Sequence, residues 1–297
     1  MRAAAILGLG CSPKDLRSFQ SDDKIEWRIG MPGPGDVDVI LLFGGDGTIH
    51  RHLSQLVKLA VPVLVVPAGS GNDFATSLGL RRVRHSLEAW RTFCTGAGNV
   101  RAIDLGGITQ LGEESARDSA NVWYYSCVAG VGIDAAVLER ANRMPRWIKG
   151  NGGYALSVVP TIFSFDPIPL KIQIPAAGLD SSEQWATRSD QPTLIAAFAN
   201  TPLYGGGMRV APMAKMDDGL LDVCIVAGMS RFKLLREFPT VYAGRHLRLK
   251  EVEYFQASRL RVETEHPMDV YADGEYVCRT PIEVSVQPAA LKVIVPD

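Results

Sequence analysis

Residues 44–48, Gly-Gly-Asp-Gly-Thr, place three glycines, a carboxylate and a hydroxyl directly after the apolar run Val37-Asp38-Val39-Ile40-Leu41-Leu42-Phe43. A loop without Cβ atoms lets backbone N–H groups approach an anion, and a helix opening near Thr48 would aim its positive end at the same point. Gly44, Gly45, Gly47 and Thr48 are therefore candidate phosphate-binding residues. Asp46 is unfavourable beside phosphate unless a divalent cation lies between them, so the stretch suits Mg²⁺ with a nucleotide better than a bare anion. A second loop, Pro67-Ala68-Gly69-Ser70-Gly71-Asn72-Asp73-Phe74, repeats the pattern of small residues followed by an acid. The bland alternative is two glycine-rich turns, each with an acid at a helix start. A Walker A loop is excluded because no Lys follows Gly47. A dinucleotide fingerprint is not encoded at Gly8-Leu9-Gly10-Cys11-Ser12-Pro13, where Pro stands in place of the third glycine.

The elements that would position these loops alternate in type. Strands are expected at Ala3–Leu9, Ile25–Ile29, Val37–Phe43 and Val63–Val66, with helices at 13–19, at about 48–59 and around 86–93. Ile49, Leu53, Leu56 and Val57 share one helix face. Alternation implies a parallel sheet whose loops emerge at one edge, where open α/β sheets bind ligands. Thr95-Gly96-Ala97-Gly98 is a natural boundary. Beyond it short strands dominate, from 100–108 to 282–286 and 291–295, as expected of a β-rich, sandwich-like second domain. Helices are expected near 133–142, 146–163 and 231–242, and loose loops at 112–120 and 178–190. The expected domains are 1–98, an α/β nucleotide-binding domain, and 99–297, β-rich, with the extreme C-terminus returning to the first domain.

Length and composition narrow the class. The 297 residues carry a formal net charge of -1, so no global field favours nucleic acid. The five cysteines have no C-x-x-C spacing, which favours reduced thiols in a cytoplasmic protein. No stretch reaches the ~18 apolar residues of a spanning helix, so membrane contact is expected to be peripheral. Asp273-Gly274 reads as a hairpin turn between 268–271 and 276–278.

With both loops read, the chain resembles the diacylglycerol-kinase catalytic family, bacterial lipid kinases related to sphingosine and ceramide kinases. Residues 44–48 and 67–74 carry the resemblance with Asp104-Leu105-Gly106, Gly130-Val131-Gly132-Ile133-Asp134-Ala135, Gly205-Gly206-Gly207-Met208, Pro212-Met213-Ala214 with Asp218-Gly219-Leu220-Leu221-Asp222-Val223, and Asp273-Gly274-Glu275. Two departures are Leu9-Gly10-Cys11-Ser12-Pro13 in place of Asn-Pro-x-Ser-Gly, and Thr76 where the family commonly has Arg.

The resemblance implies an α/β nucleotide domain followed by a β-sandwich domain, with the active site in the cleft between them. It implies ATP held by Gly44, Gly45, Asp46, Gly47, Thr48, Gly69, Ser70 and Asn72, and Mg²⁺ held largely through water by Asp46, Asp73 and Asp104. Asp273 resembles the general base that takes the proton of a lipid hydroxyl, supported by Glu275. Asp218 and Leu220 resemble a structural Mg²⁺ site, with an ordinary turn equally suited. Trp147, Tyr154, Val158, Ile162 and Phe163 suit either core packing or an acyl-chain wall. The implied activity is transfer of the ATP γ-phosphate to a lipid hydroxyl, most plausibly of diacylglycerol, at the inner membrane face. Other lipid acceptors, an NAD kinase and a nucleotide- or lipid-binding protein without turnover remain open. An exposed edge strand in the second domain is compatible with a homodimer.

Overall fold

The computed structural model describes every residue except Ser21, 113–121, 134–135, 138–159, 177–183 and Asp297. Asp134, Trp147, Tyr154 and Val158 therefore lie outside the described residues. The chain divides into two compact units, Met1–Leu105 with Gln287–Asp297, and Gly106–Val286. The division falls inside a strand, later than the glycine-rich turn at 95–98.

Unit 1 is a parallel sheet. Its strands are β1 (Arg2–Leu7), β2 (Glu26–Ile29), β3 (Val39–Gly44) and β4 (Val63–Pro67), joined by the C-terminal part of the long strand β15 (Ile282–Ile294). The order is β15, β4, β3, β1, β2, with every pairing parallel. β3 and β4 are buried along their whole length, as expected for strands covered on both faces. Helices α1 (Pro13–Leu16), α2 (Asp46–Leu59), α3 (Asp73–Ser77) and α4 (Val83–Cys94) follow the strands. α2 buries Ile49, Leu53 and Leu56, the expected face. Trp90 of α4 is buried and its indole N–H donates to the Phe19 carbonyl at 3.0 Å, which satisfies the one polar atom of the ring.

Unit 2 is antiparallel. The chain enters it along β5 (Val100–Gln110), and the remaining strands are β6 (Trp123–Tyr125), β7 (Val128–Gly132), β8 (Ile168–Pro175), β9 (Trp185–Ala199), β10 (Leu221–Ala227), β11 (Val252–Ala257), β12 (Arg259–Thr264), β13 (Asp269–Ala272), β14 (Glu275–Arg279) and the first part of β15, up to Val286. β9 pairs with β7, β8 and β10 and forms the spine of the unit. The core gathers residues from many strands, among them Ile108, Tyr125, Val131, Ile172, Phe198, Val223, Val262 and Val284. Helix α5 (Arg231–Glu237) and a 3₁₀ segment, Phe238–Ala243, occupy the expected helical stretch.

Three expectations are corrected. Residues 185–190 belong to β9 rather than to a loop, because backbone pairing with β8 overrides their polarity. The strands expected at 282–286 and 291–295 are one strand that ends at Ile294, although Pro288 and Ala289, at φ 51°, interrupt its pattern. The single strand that the pattern predicts at 121–129 is, over its described residues, two strands, β6 from Trp123 and β7 from Val128, separated at Ser126-Cys127. Among the described residues no helix is long and apolar enough to cross a membrane.

Candidate active site

In unit 1 both glycine loops stand at the carboxyl ends of neighbouring strands, β3 and β4. Gly45 caps α2, and Asp46, Gly47 and Thr48 form its first turn, so the helix opens two residues before Thr48. The Gly45 carbonyl accepts from the Thr48 N–H at 2.9 Å and the Ile49 N–H at 3.1 Å. The missing Cβ atoms serve loop packing. A Cβ on Gly45 would stand 2.9 Å from Gly69 Cα, and one on Gly44 would stand 2.6 Å from Thr48 Cβ. The Asp46 and Gly47 N–H groups, in the first helical turn, have no i−4 carbonyl within the helix and remain suited to an anion.

Asp46 reaches across to the second loop. Its Oδ2 accepts from the Asn72 and Asp73 N–H groups, both at 3.0 Å, and its Oδ1 accepts from the Phe74 N–H at 3.1 Å. These are the first donors of α3, so a carboxylate distant in sequence does the work of an N-cap. Gly71 leaves room for it, since a Cβ there would lie 2.8 Å from Oδ2. Asn72, at φ 126°, closes the loop from the other side. Its Oδ1 accepts from the Gly69 N–H at 3.0 Å and its Nδ2 donates to the Gly69 carbonyl at 2.8 Å. Ala68, Gly69 and Ser70 stay exposed while Asp73 is buried.

Asp104 is buried in β5, and its Oδ1 accepts the Ala289 N–H at 2.8 Å, holding the irregular point of β15. Among the described residues no three Asp, Glu, His or Cys side chains gather closely enough to hold a metal. Asp46, Asp73 and Asp104 as placed do not form a direct three-carboxylate shell. Beside the loops a cleft of about 350 Å³ is lined by Gly10, Cys11, Lys14, Asp15, Phe43 and Ala68, so the altered first loop contributes a thiol and α1 contributes a cation and a carboxylate. Burial pushes that thiol up, with Asp15 adding to the effect.

In unit 2, Asp273 sits at φ 50° and Gly274 at φ 87°, a turn with two left-handed residues between β13 and β14. The Asp273 carboxylate is a hub. Oδ2 accepts from the Ser126 N–H at 2.7 Å and the Ser126 O–H at 3.0 Å, and Oδ1 accepts from the Cys127 N–H at 2.8 Å and the Val128 N–H at 3.3 Å. The turn is thereby locked to the β6–β7 connection, which sequence reasoning did not connect with the Asp-Gly-Glu element. Glu275 begins β14 and is exposed. Tyr125 is fully buried against Gly106, where any Cβ would overlap its ring. Burial, with Asp273 adding to it, pushes the Tyr125 hydroxyl well up.

An apolar cavity also lies in unit 2. Ile133, Val137 and Ile162 line it with Leu234 and Phe238 from the α5 region and with Tyr204 and Met208. Tyr204 and Met208 exchange backbone hydrogen bonds, both 2.9 Å, across Gly205-Gly206-Gly207, whose three positive φ angles make the tight turn. Phe163 is exposed rather than part of that wall. Asp218 and Leu220 are occupied with each other, since the Leu220 N–H donates to Asp218 Oδ1 at 3.1 Å in an Asx turn before β10. Asp222 next to them is buried, which pushes its carboxyl up against the opposing hydrogen bonds from Tyr254 and Gln256.

Residues 29–108 match the diacylglycerol kinase catalytic domain and residues 127–295 match the YegS C-terminal NAD kinase beta sandwich-like domain. The chain belongs to the diacylglycerol-kinase family of lipid kinases. It is 35% identical over 259 residues to a diacylglycerol kinase of Mycobacterium tuberculosis (strain ATCC 25618 / H37Rv), covering 87% of this chain and 77% of that one. It is 26% identical over 246 residues to a diacylglycerol kinase of Bacillus subtilis (strain 168), covering 81% and 72%. A crystal structure of a diacylglycerol kinase from Bacillus anthracis str. Sterne shares the fold with TM-score 0.65 at 18% identity, covering 99% of this chain and 96% of that one. An NAD kinase from Archaeoglobus fulgidus, solved with ATP, shares it with TM-score 0.54 at 14% identity, covering 100% and 94%. Membership of this family makes the chain a kinase, and the expected α/β domain followed by a sandwich-like domain agrees with these matches.

Proposed function

We propose that the protein transfers the γ-phosphate of ATP to the hydroxyl of diacylglycerol. The observation that carries this reading is the apolar cavity of unit 2, a place for an acyl chain within the same chain as the paired glycine loops. A kinase of a soluble acceptor such as NAD has no use for a wall built from Ile162, Leu234 and Phe238.

In this reading the Asp46 and Gly47 N–H groups and the exposed Ser70 meet the phosphates, with Gly44, Gly45, Thr48, Gly69 and Asn72 holding the two loops in register. Mg²⁺ typically keeps several waters and takes one or two carboxylates plus substrate phosphates. Asp46 and Asp73 would be those carboxylates; they adjoin through the Asp73 backbone N–H, which donates to Asp46 Oδ2 at 3.0 Å, and water would complete the shell. When bound, the ion neutralises charge on the transferring phosphate. Asp104 supports this region through β15, and Asp273 receives the proton of the lipid hydroxyl with Glu275 beside it.

Purified protein supplied with labelled ATP, Mg²⁺ and mixed micelles of diacylglycerol is expected to form phosphatidic acid and to leave NAD unlabelled. Label appearing on NAD, or on no lipid at all, would overturn the reading.

A further inference from the structure

Residues 228–250 carry six Lys or Arg and a single carboxylate, Glu237, in a chain whose formal net charge is -1. The same stretch holds two of the exposed aromatic side chains, Phe232 at 79% and Tyr242 at 44%, and a third, Phe163 at 42%, lies edge-on to Phe232 with ring centroids 6.2 Å apart. A side chain as exposed as Phe232 contributes nothing to the core. Its helix is held from the opposite side, where Leu234, Leu235 and Phe238 pack on Val137 and Ile162. Several cations of the stretch have partners: Arg231 pairs with Asp166, Lys233 with Glu251 and Arg236 with Glu237. Arg245, Arg248 and Lys250 are exposed and stand in no ion pair among the described residues.

We propose that Phe163 and residues 228–250 form the surface by which the protein docks on an anionic lipid bilayer, with Phe232 and Phe163 entering the headgroup boundary and Arg245, Arg248 and Lys250 meeting lipid phosphates. The chemistry of the surface selects this occupant. Exposed aromatics at the apolar–polar boundary together with unpaired cations complement a membrane interface. An acidic protein partner would use the cations and leave the aromatics unexplained. Position supports the same choice. Leu234, Phe238 and Leu249 from this stretch line the apolar cavity, so docking here sets the bilayer beside the cavity wall and shortens the passage of a chain through water. The last point rests on the lipid-kinase reading, whereas the docking surface itself does not.

The test is sedimentation with vesicles of phosphatidylcholine alone and of phosphatidylcholine mixed equally with phosphatidylglycerol. Wild-type protein should sediment with the mixed vesicles only, and added salt should release it. Arg245→Glu with Arg248→Glu should weaken binding at least about twentyfold, since each cation near an anionic surface contributes about fivefold. Phe232→Ser should weaken it about tenfold, the effect of losing one inserted aromatic side chain. Arg81→Glu with Arg82→Glu, a basic pair outside this surface, should bind as wild type. Phosphorylation of a short-chain diacylglycerol in detergent micelles should be unchanged in the docking variants, and unchanged melting temperatures would show that they fold. The charge-reversal pair gives a readout independent of Phe232→Ser. Equal sedimentation with neutral vesicles, no sedimentation of wild type, or loss of binding only in the Arg81/Arg82 variant would overturn the proposal. Docking without phosphorylation of any lipid would instead overturn the kinase reading and leave the surface standing.

Discussion

Replacing Ser126 by Ala separates two roles that converge on Asp273. A carboxylate offers about four lone-pair positions, and here three backbone N–H groups and one hydroxyl occupy them. The N–H donors are fixed by the backbone of 126–128, whereas the Ser126 hydroxyl can rotate. A lipid hydroxyl that hands its proton to Asp273 would take the place of that single movable donor. Ser126→Ala is therefore expected to fold with a loss of about 1 kcal/mol and to keep turning over. Asp273→Asn sets amide hydrogens against buried backbone donors, at about 1–3 kcal/mol for each donor left unpaired, and should also abolish turnover. Melting temperature and turnover measured on both variants give the answer. A folded Ser126→Ala protein without activity would mean that the hydroxyl is needed for itself.

At the scale of the element, α3 shows what the sequence hides. Five residues make a poor helix alone, and nothing local to 73–77 caps it. Its cap is Asp46 on the first turn of α2, so the two loops are one structural unit and Gly71 is the gap through which the carboxylate passes. Gly71→Ala would force a Cβ against Asp46 Oδ2 and should cost about 1–3 kcal/mol. Hydrogen exchange should show α3 amides losing protection while α2 amides keep theirs. β3 and α2 were legible because an uninterrupted apolar run ends on three glycines and a helical face of Ile49, Leu53 and Leu56 follows. α3, the polar start of β9 and the joining of 282–286 to 291–295 were not, because each depends on a partner outside the segment itself: Asp46, the preceding strand β8 and Asp104. The site shares this division. Its glycines and acids were readable as motifs, but the saturation of Asp273 by residues 126–128 and the packing of Gly45 on Gly69 were not.

For the molecule as a whole, the decisive fact is that unit 1 is discontinuous in the chain. It takes Gln287–Asp297 from the far end, and the returning strand pairs in parallel with β4 at Val293 opposite Val63. Asn99 fastens the return: the Val295 N–H donates to its carbonyl at 3.0 Å, and its Nδ2 donates to the Val295 carbonyl at 2.8 Å and the Ala89 carbonyl at 2.9 Å. Leu291, Val293 and Ile294 are buried there, so a chain ended at Val286 would lose this apolar cover and bare the edge of β4. Unit 2 keeps all its own strands under that truncation. The shortened protein is expected to lose amide protection in β4 and β3 first, to bind a dye specific for exposed apolar surface, and to keep protection in β9 and β10. Uniform loss of protection across β3, β4, β9 and β10 would show that the two units unfold as one, and unchanged protection in β4 would show that the return strand is dispensable.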